Sequence, residues 1–562
     1  MLRIETIQTD FLIVGGGTAG CYAAIVAARK DPKLRVQIVE KANIKRSGCL
    51  AAGVNAINAY ITEGRTTQQY LEYARWDAEK IIRDDLVLSM AERFNESARD
   101  LERMGLVILK DANGNYVSRG KRNIKINGEN IKPIISREVK KYDNISILNH
   151  VVVTNLLQDG DRVCGAVGFS TNYETAWVIS ARAVLVATGG AAGLYRPNNP
   201  GFSRHKMWYP PFNAGAGYAL GIRVGAEMTS FEMRFVAQRI KDTIAPTGTI
   251  ALGVGAREVN ALGEAYAERY GLTTSGRARG ATKETSEGRG PCYLKTVGLD
   301  SSREEDLYKA YLNMAPAQTL KWIESGERPS THNVEIEGTE PYVVGGHTAS
   351  GYWIDTARRT TVAGLYAAGD VAGGAPKKFV TGALAEGWIA AETVLKDLAT
   401  YSPTSIARAL ELAKDKTNEY ERRLRAPRGV YNARELEDAM QKVMDVYAGG
   451  ISVGYRYNEN QLAIADEKIG LIADLAEELS AADVDELVRV YELIDRATVC
   501  KTLLAHLRGR KETRWPGFGV FADYPEKDDA FECFVNTRNV NGKIQTIIRP
   551  LMEGVTYYEH TH

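Results

Sequence analysis

TDFLIVGGGTAGCYAAIVAARKD, Thr9–Asp31, decides the fold. Phe11–Val14 is an apolar run of strand type that meets Gly15, Gly16 and Gly17, and a helix of small residues follows. In Gly15-x-Gly17-x-x-Gly20 the first glycine permits a tight turn, the second lets a pyrophosphate approach the backbone, and the third lets helix and strand pack closely. The helix N-terminus adds free N–H groups and a partial positive charge. VQIVEKA (Val36–Ala42) is a second apolar strand ending in Glu40, placed to accept hydrogen bonds from a ribose. The unit is a right-handed strand–helix–strand crossover. The uncharged run Phe11–Ala28 has four glycines, follows Asp10 and lacks a basic leader, so it is read as buried rather than membrane-spanning.

Outward from this unit the chain is ordinary in composition. Its 562 residues are 44% hydrophobic and 25% charged, with 71 basic and 70 acidic side chains and a net charge of +1. That balance gives no reason to expect nucleic acid or an anionic membrane as the main partner. The six cysteines are widely spaced, with no C-x-x-C, which argues against a zinc site, an internal iron–sulfur cluster or a disulfide scaffold. A reducing, cytoplasmic setting is expected, and no metal site.

The pattern predicts an α/β fold: a Rossmann-like dinucleotide-binding domain with an inserted α+β capping domain and a helical C-terminal domain. The expected boundaries are 1–235 and 341–402 for the two parts of the binding domain, 236–340 for the cap, 403–510 for the helices and 511–562 for a tail of short strands. Amphipathic helices follow Thr67, and a β-meander with turns at Asp159-Gly160 and Thr171-Asn172 leads into the buried strand AVLVATGG (Ala183–Gly190). GLYAAGD (Gly364–Asp370) returns to the strand pattern of the first domain.

The glycine fingerprint alone leaves NAD and FAD open. ATGG (Ala187–Gly190) and GLYAAGD, added to it, resemble the flavoprotein subunits of the succinate dehydrogenase and fumarate reductase superfamily, over roughly Asp10–Gly190 and Pro341–Leu398. The resemblance implies FAD, with Asp370 on the ribityl chain. It implies a cofactor set of Gly15, Gly17, Gly20, Glu40, Lys41, Ser47, Gly48, Thr188, Gly189, Asp370, Lys378, Thr381 and Gly382. Ser47 stands near the position of the family's flavin-linking histidine, so FAD is expected to be non-covalent; Cys49 is read as a small packed residue rather than a linkage. Lys377 and Lys378, with a helix starting near Gly382, are expected to aim positive charge at the reduced flavin ring.

The dicarboxylate enzymes' His-Tyr-x-x-Gly-Gly appears here as Pro341-Tyr342-Val343-Val344-Gly345-Gly346, and their Q-F-H-P and S-R-D-x-x-x-R segments are missing. KANIKRSG…GVNAINAY, Trp208-Tyr209, RFVAQRIKD…PTG and APKKFVTGALAEG instead look like the alpha subunit of dissimilatory adenylylsulfate reductase. That resemblance implies reduction of adenosine 5′-phosphosulfate to sulfite and AMP, or the reverse, through a flavin N5–sulfite adduct. Carried over residue by residue, Asn58, Trp208, Arg239 and His347 are the catalytic set. Asn58 positions the flavin edge or substrate, and Trp208 stacks on adenine. Arg239 clamps sulfate or phosphate oxygens, and His347 donates to sulfonyl oxygens or moves a proton with a pKa near working pH. A ferredoxin-like iron–sulfur beta subunit is the implied electron partner.

Each residue has a plainer alternative: an ion pair with Asp242 or Glu232 for Arg239, packing for Trp208, a solvated pair for Lys377 and Lys378, a turn cap for His347. The lid and C-terminal part look shorter than in typical alpha subunits, and Arg289 stands in about the region of the family's further lid arginine. A sulfonate or other sulfur oxyanion is the alternative substrate, followed by a dicarboxylate or a silent electron-transfer scaffold. His560 and His562 are read as a disordered end.

Overall fold

The computed structural model describes residues 2–54, 56–128, 130–199, 207–243, 254–314, 316–552 and 560. Strand β1 (Arg3–Val14), helix α1 (Thr18–Lys30) and strand β2 (Val36–Glu40) form the expected crossover, with β1 and β2 parallel and Phe11 opposite Val36. They sit in a seven-stranded sheet ordered Ile145–Asn149, β2, β1, Thr175–Val186, Arg162–Ser170, Val151–Asp159. The seventh strand, Leu365–Ala367, pairs in parallel with the end of Thr175–Val186, where the meander has peeled away. This is why Ala183–Val186 is a continuous apolar run: it is covered on both faces and flanked on both edges.

Small residues let α1 lie close to two neighbours. A Cβ on Gly20 would stand 2.0 Å from Gly15 O, and one on Gly387 would stand 2.3 Å from Ala19 O. The helix Phe379–Asp397 therefore crosses α1 at backbone contact, and Ala19–Ala28 is buried between that helix and the sheet.

The cap has its own antiparallel sheet, ordered Gln238–Ile240, Val334–Gly338, Cys292–Lys295, Arg257–Val259. Its core holds Leu294, Tyr311, Trp322 and Ile336. One of its helices, the cap helix Thr274–Ser286, starts at Thr273, whose side chain accepts from Gly276 N at 3.0 Å.

The C-terminal region is helical because its sequence carries strong start and stop signals. Asn432 and Glu435 form a capping box. Asp483 caps the long helix Val484–Gly509, which has Asp485 and Glu486 in its first turn and His506 and Arg508 in its last, each sign matched to the helix dipole. Tyr420 packs on Phe169 of the meander at 5.1 Å. No helix among the described residues is long and apolar enough to cross a membrane.

The tail differs from a string of short strands. Cys533–Val540 and Lys543–Pro550 form one long hairpin that joins Met228–Thr229 and Gly351–Tyr352 in a four-stranded sheet. Phe534 meets Trp353 at 5.0 Å, and Glu227 accepts from Arg549 Nε at 2.9 Å. The hairpin Cys533–Pro550 is thus built into the flavin-binding half. His560 likewise is tied down, its N–H donating to Asp355 Oδ2 at 3.2 Å; His562 lies outside the described residues.

Candidate functional site

The glycine turn is held from below. Gly15 adopts φ 105°, and its N–H donates to Val39 O at 2.9 Å. Glu40 accepts from Gly16 N and from Ala42 N, each at 2.8 Å. The carboxylate that the sequence offers to a ribose therefore also braces the turn, one oxygen to each N–H, with lone pairs left on both. A Cβ on Gly17 would meet only Ala187 O, at 3.7 Å, so the face above the turn is open. Gly48, with φ 78° and Gly17 Cα beside it, borders that space, while the buried Ser47 Oγ donates to Gly16 O at 3.5 Å.

Two further motifs close on it from the strand ends. Tyr209 ties them together: its hydroxyl accepts from Gly190 N at 2.9 Å and donates to Asp370 Oδ2 at 2.8 Å. Burial raises Asp370 above the usual carboxylate range, against the pull of Tyr209 and Lys378. A Cβ at Gly189 (φ 79°) would stand 2.4 Å from Asn213 Nδ2, so glycine is required there. Cys49 is exposed along this cleft while crowded by protein on its other sides; burial and the Asp370 charge push its thiol up. The sequence used Trp208 of the Trp-Tyr pair and passed over Tyr209, although a buried hydroxyl beside two glycine turns needs a partner.

Two lysines are placed otherwise than expected, and a third departs from its plainer alternative. Lys41 leaves the cleft: its ammonium bonds Phe212 O and pairs with Glu492 Oε1 at 2.9 Å, tying β2 to the long helix. Lys378 is fully buried behind the Asp370 turn, where Nζ donates to Gly369 O at 2.9 Å and pairs with Glu386 at 3.2 Å. Burial holds it below the usual ammonium range. Lys377 is not solvated either. It pairs with Asp77 at 2.6 Å and donates to Thr274 Oγ1 at 2.8 Å; burial works against its charge, but Asp77 outweighs it and holds Lys377 above its ordinary value. The helix bearing Thr381 and Gly382 begins at Phe379, three residues before Gly382.

Around His347 the walls are aromatic. Its ring centroid lies 4.5 Å from Phe235, 5.1 Å edge-on from Trp208 and 5.5 Å from Phe379. Nδ1 is buried without a hydrogen-bond partner. Burial, and then the Lys377 charge, lower its pKa to about 3. The expected titration near working pH is therefore corrected: a low-dielectric aromatic pocket beside a cation disfavours imidazolium, and His347 is neutral. Asn58 joins the same wall, since Thr381 Oγ1, two residues beyond Phe379, donates to Asn58 O at 2.8 Å. Asn58 Oδ1 and Thr188 Oγ1 are also buried without partners. Buried polar atoms left unsatisfied cost about 1–3 kcal/mol each. Thr188 Oγ1 is packed against Gly217 of the helix Ala216–Arg223, whereas the orphaned atoms on Asn58 and His347 fit a polar cofactor and its substrate.

Trp208 is part of an aromatic cluster, 5.0 Å from Phe235 and 5.7 Å from Tyr342, and is half-buried. Arg239 is held differently from either sequence reading. It is fully buried, bonds Asn199, Asn198 Oδ1 (2.9 Å) and Thr243 O (2.8 Å), and pairs with Glu337 at 2.7 Å. Glu337 is its cross-strand partner, which local sequence does not reveal. Glu232 instead meets Arg510 and His506. Arg289 is bound to Glu284 at 2.7 Å and Glu287 at 2.6 Å on the cap. Arg277, in the first turn of the cap helix, was not singled out by sequence. It is half-buried, has no ion pair among the described residues, and its charge reaches Lys377.

Among the described residues no group of three His, Cys, Asp or Glu side chains is set to hold a metal. The family model described as FAD binding domain matches residues 10–379. The chain is 31% identical to the adenylylsulfate reductase subunit alpha of Megalodesulfovibrio gigas, over 96% of this chain and 95% of that one. In structure it superposes on adenylylsulfate reductase from Archaeoglobus fulgidus with a TM-score of 0.92 at 32% identity, covering 99% and 98% of the two chains. An adenosine-5-phosphosulfate reductase in complex with sulfite as a covalent adduct matches with the same TM-score of 0.92. Escherichia coli quinol fumarate reductase, at 19% identity and a TM-score of 0.83, shares the fold. With the glycine turn, the Tyr209–Asp370 link and the His347 pocket in one cleft, these matches identify the chain as an FAD-dependent oxidoreductase that belongs to the adenylylsulfate reductase alpha-subunit family.

Proposed function

We propose that this chain reduces adenosine 5′-phosphosulfate to sulfite and AMP, or runs the reverse, through a covalent sulfite adduct on non-covalently bound FAD. The observation that carries the reading is the His347 pocket: a neutral imidazole with a free buried Nδ1, walled by Trp208, Phe235 and Phe379. The relative that holds a covalent sulfite adduct supports it. Ser47 at the place of the superfamily's linking histidine supports non-covalent FAD. The bound flavin supplies the electron pair and the atom that takes the sulfur.

The chain's own residues do the rest. Gly17 and the start of α1 receive the pyrophosphate, and Asp370, presented by Tyr209, receives the ribityl hydroxyls. His347 hydrogen-bonds a sulfonyl oxygen as a neutral group, so no protonation equilibrium stands between binding and reaction. Its edge-on contact with Trp208 fixes the ring plane. Asn58 offers its orphaned amide oxygen to the flavin edge. Lys377 and Arg277 give the cap side of the cleft a cationic lining suited to a phosphosulfate. We assign to Arg277 the lid contact that Arg289, locked to two carboxylates, does not supply. Arg239, whose two terminal nitrogens are taken by Glu337, two asparagines and Thr243 O, acts by fixing the cap strand behind Tyr342 rather than as a free clamp.

A ferredoxin-like iron–sulfur beta subunit is proposed as the electron partner. The sequence has no cluster motif, and the Megalodesulfovibrio relative is itself an alpha subunit. The test is a sulfite titration of the oxidised protein, followed in the flavin band with and without AMP. Bleaching by sulfite, reversed with formation of adenosine phosphosulfate when AMP and an electron acceptor are added, is expected. Bleaching indifferent to AMP would move the substrate to a sulfonate or other sulfur oxyanion, and none at all would remove sulfur chemistry.

A further inference from the structure

Lys132 is fully buried in the helix Ile131–Val139, outside every motif used above. Its ammonium donates to Gly16 O at 2.7 Å and to Ile44 O, and lies 3.7 Å from Cys21 Sγ. Among the described residues the contacts of its ammonium are these two carbonyl oxygens and the thiol, with no ion pair. Glu40, whose charge also reaches Cys21, turns its two oxygens to the Gly16 and Ala42 N–H groups rather than to Lys132. An ammonium buried against two carbonyl oxygens and a thiol gains from an anion on the far side of the peptide it bonds.

The peptide between Gly16 and Gly17 connects the two sides. Gly16 O is drawn into the protein by Lys132 and by Cys21 Sγ at 3.1 Å. In a trans peptide the carbonyl and the following N–H point in opposite directions. Fixing Gly16 O downward therefore turns Gly17 N–H up, into the open space over the turn. We propose that Lys132 is a positioning residue for the FAD pyrophosphate: it sets the Gly16–Gly17 peptide and polarises it toward the phosphates, while its charge acts through that one peptide in a low-dielectric setting.

The test is Lys132→Met in the full-length holoprotein, read by flavin release on dilution and by phosphorus NMR of the bound cofactor. The expected result is an FAD dissociation constant raised about tenfold or more, displaced pyrophosphate resonances and an unchanged visible flavin band. An affinity within about twofold of wild type, or pyrophosphate resonances that do not move, overturns the proposal. Lys132→Gln keeps a neutral donor for Gly16 O and serves if the methionine variant does not fold. It is expected to displace the same resonances with a smaller loss of affinity, and wild-type affinity in it would remove the role of charge. Failure of both variants to fold would assign Lys132 to the core and overturn the proposal as well. Neither readout depends on which sulfur substrate the enzyme takes.

Discussion

His347 shows how a residue's chemistry is set by what surrounds it. An ordinary imidazole titrates near pH 6.5, whereas here burial and Lys377 lower it to about 3. The unfolded chain takes up the proton first on acidification. The contribution of this group to stability is therefore complete above about pH 6.5 and is lost progressively as pH falls toward about 3. We expect the imidazole NMR shifts to stay at their neutral values down to about pH 5; an inflection between about 6 and 7 would contradict the pocket described above. His347→Ala should keep FAD and lose about 10²–10³ in kcat, with His347→Gln, a neutral donor, recovering part of it. Gly15 and Gly20 were legible in sequence at this scale, because a positive φ at one and a 2.0 Å approach to backbone at the other dictate glycine. Lys41 and Lys378 were not, since a lysine's stem reaches far enough to leave the motif that carries it.

At the scale of elements, the cap helix is docked by a residue of another domain. Thr66 and Gln69 open α2 (Thr67–Asp77) with a capping box, and Asp77 closes it. Asp77 then accepts from Thr274 N at 2.8 Å and Oγ1 at 2.9 Å, and pairs with Lys377. Burial disfavours its charge, but Lys377 and Thr274 outweigh it and hold Asp77 below the usual carboxylate range. The first turn of the cap helix, with Arg277, is thus anchored beside the His347 pocket. Asp77→Asn should weaken this docking by about 1.5–3 kcal/mol. Faster amide exchange across Thr274–Ser286 and a substrate KM raised about tenfold with a smaller change in kcat are expected. Unaltered exchange in that helix would mean that Asp77 does not hold it. Helix starts such as Asp483 and Asn432 were readable because capping is local; Asp77 was not, since the N–H it caps is far away in sequence.

Across the whole molecule, the C-terminal hairpin completes the flavin half. Met228 pairs with Thr537, and His506 Nε2 meets Thr537 Oγ1 at 2.9 Å while its Nδ1 meets Glu232 at 3.0 Å. Trp515 Nε1 donates to Ala78 O at 3.1 Å, and Gly517 N to Ser275 Oγ at 2.9 Å, so the tail also touches α2 and the cap helix. Truncation after Gly509 uncovers Trp353 and strips Glu227 of its partners Asn536 and Arg549. We expect such a chain to yield no folded, flavin-loaded protein, as judged by gel filtration and the flavin-to-protein absorbance ratio; a loaded monomer would overturn this account. The sequence by itself determined the strand–turn–helix of the dinucleotide site, the helical C-terminal region and the family, because glycine φ angles, hydrophobic period and capping are properties of neighbouring residues. Only the tertiary structure decided that His347 is neutral, that Arg239 is held by Glu337, that Lys132 sits beneath the glycine turn and that the tail belongs to the flavin half. Each of these depends on groups distant in the chain being brought into a low-dielectric interior, where charge and hydrogen bonding are set by contact rather than by sequence order.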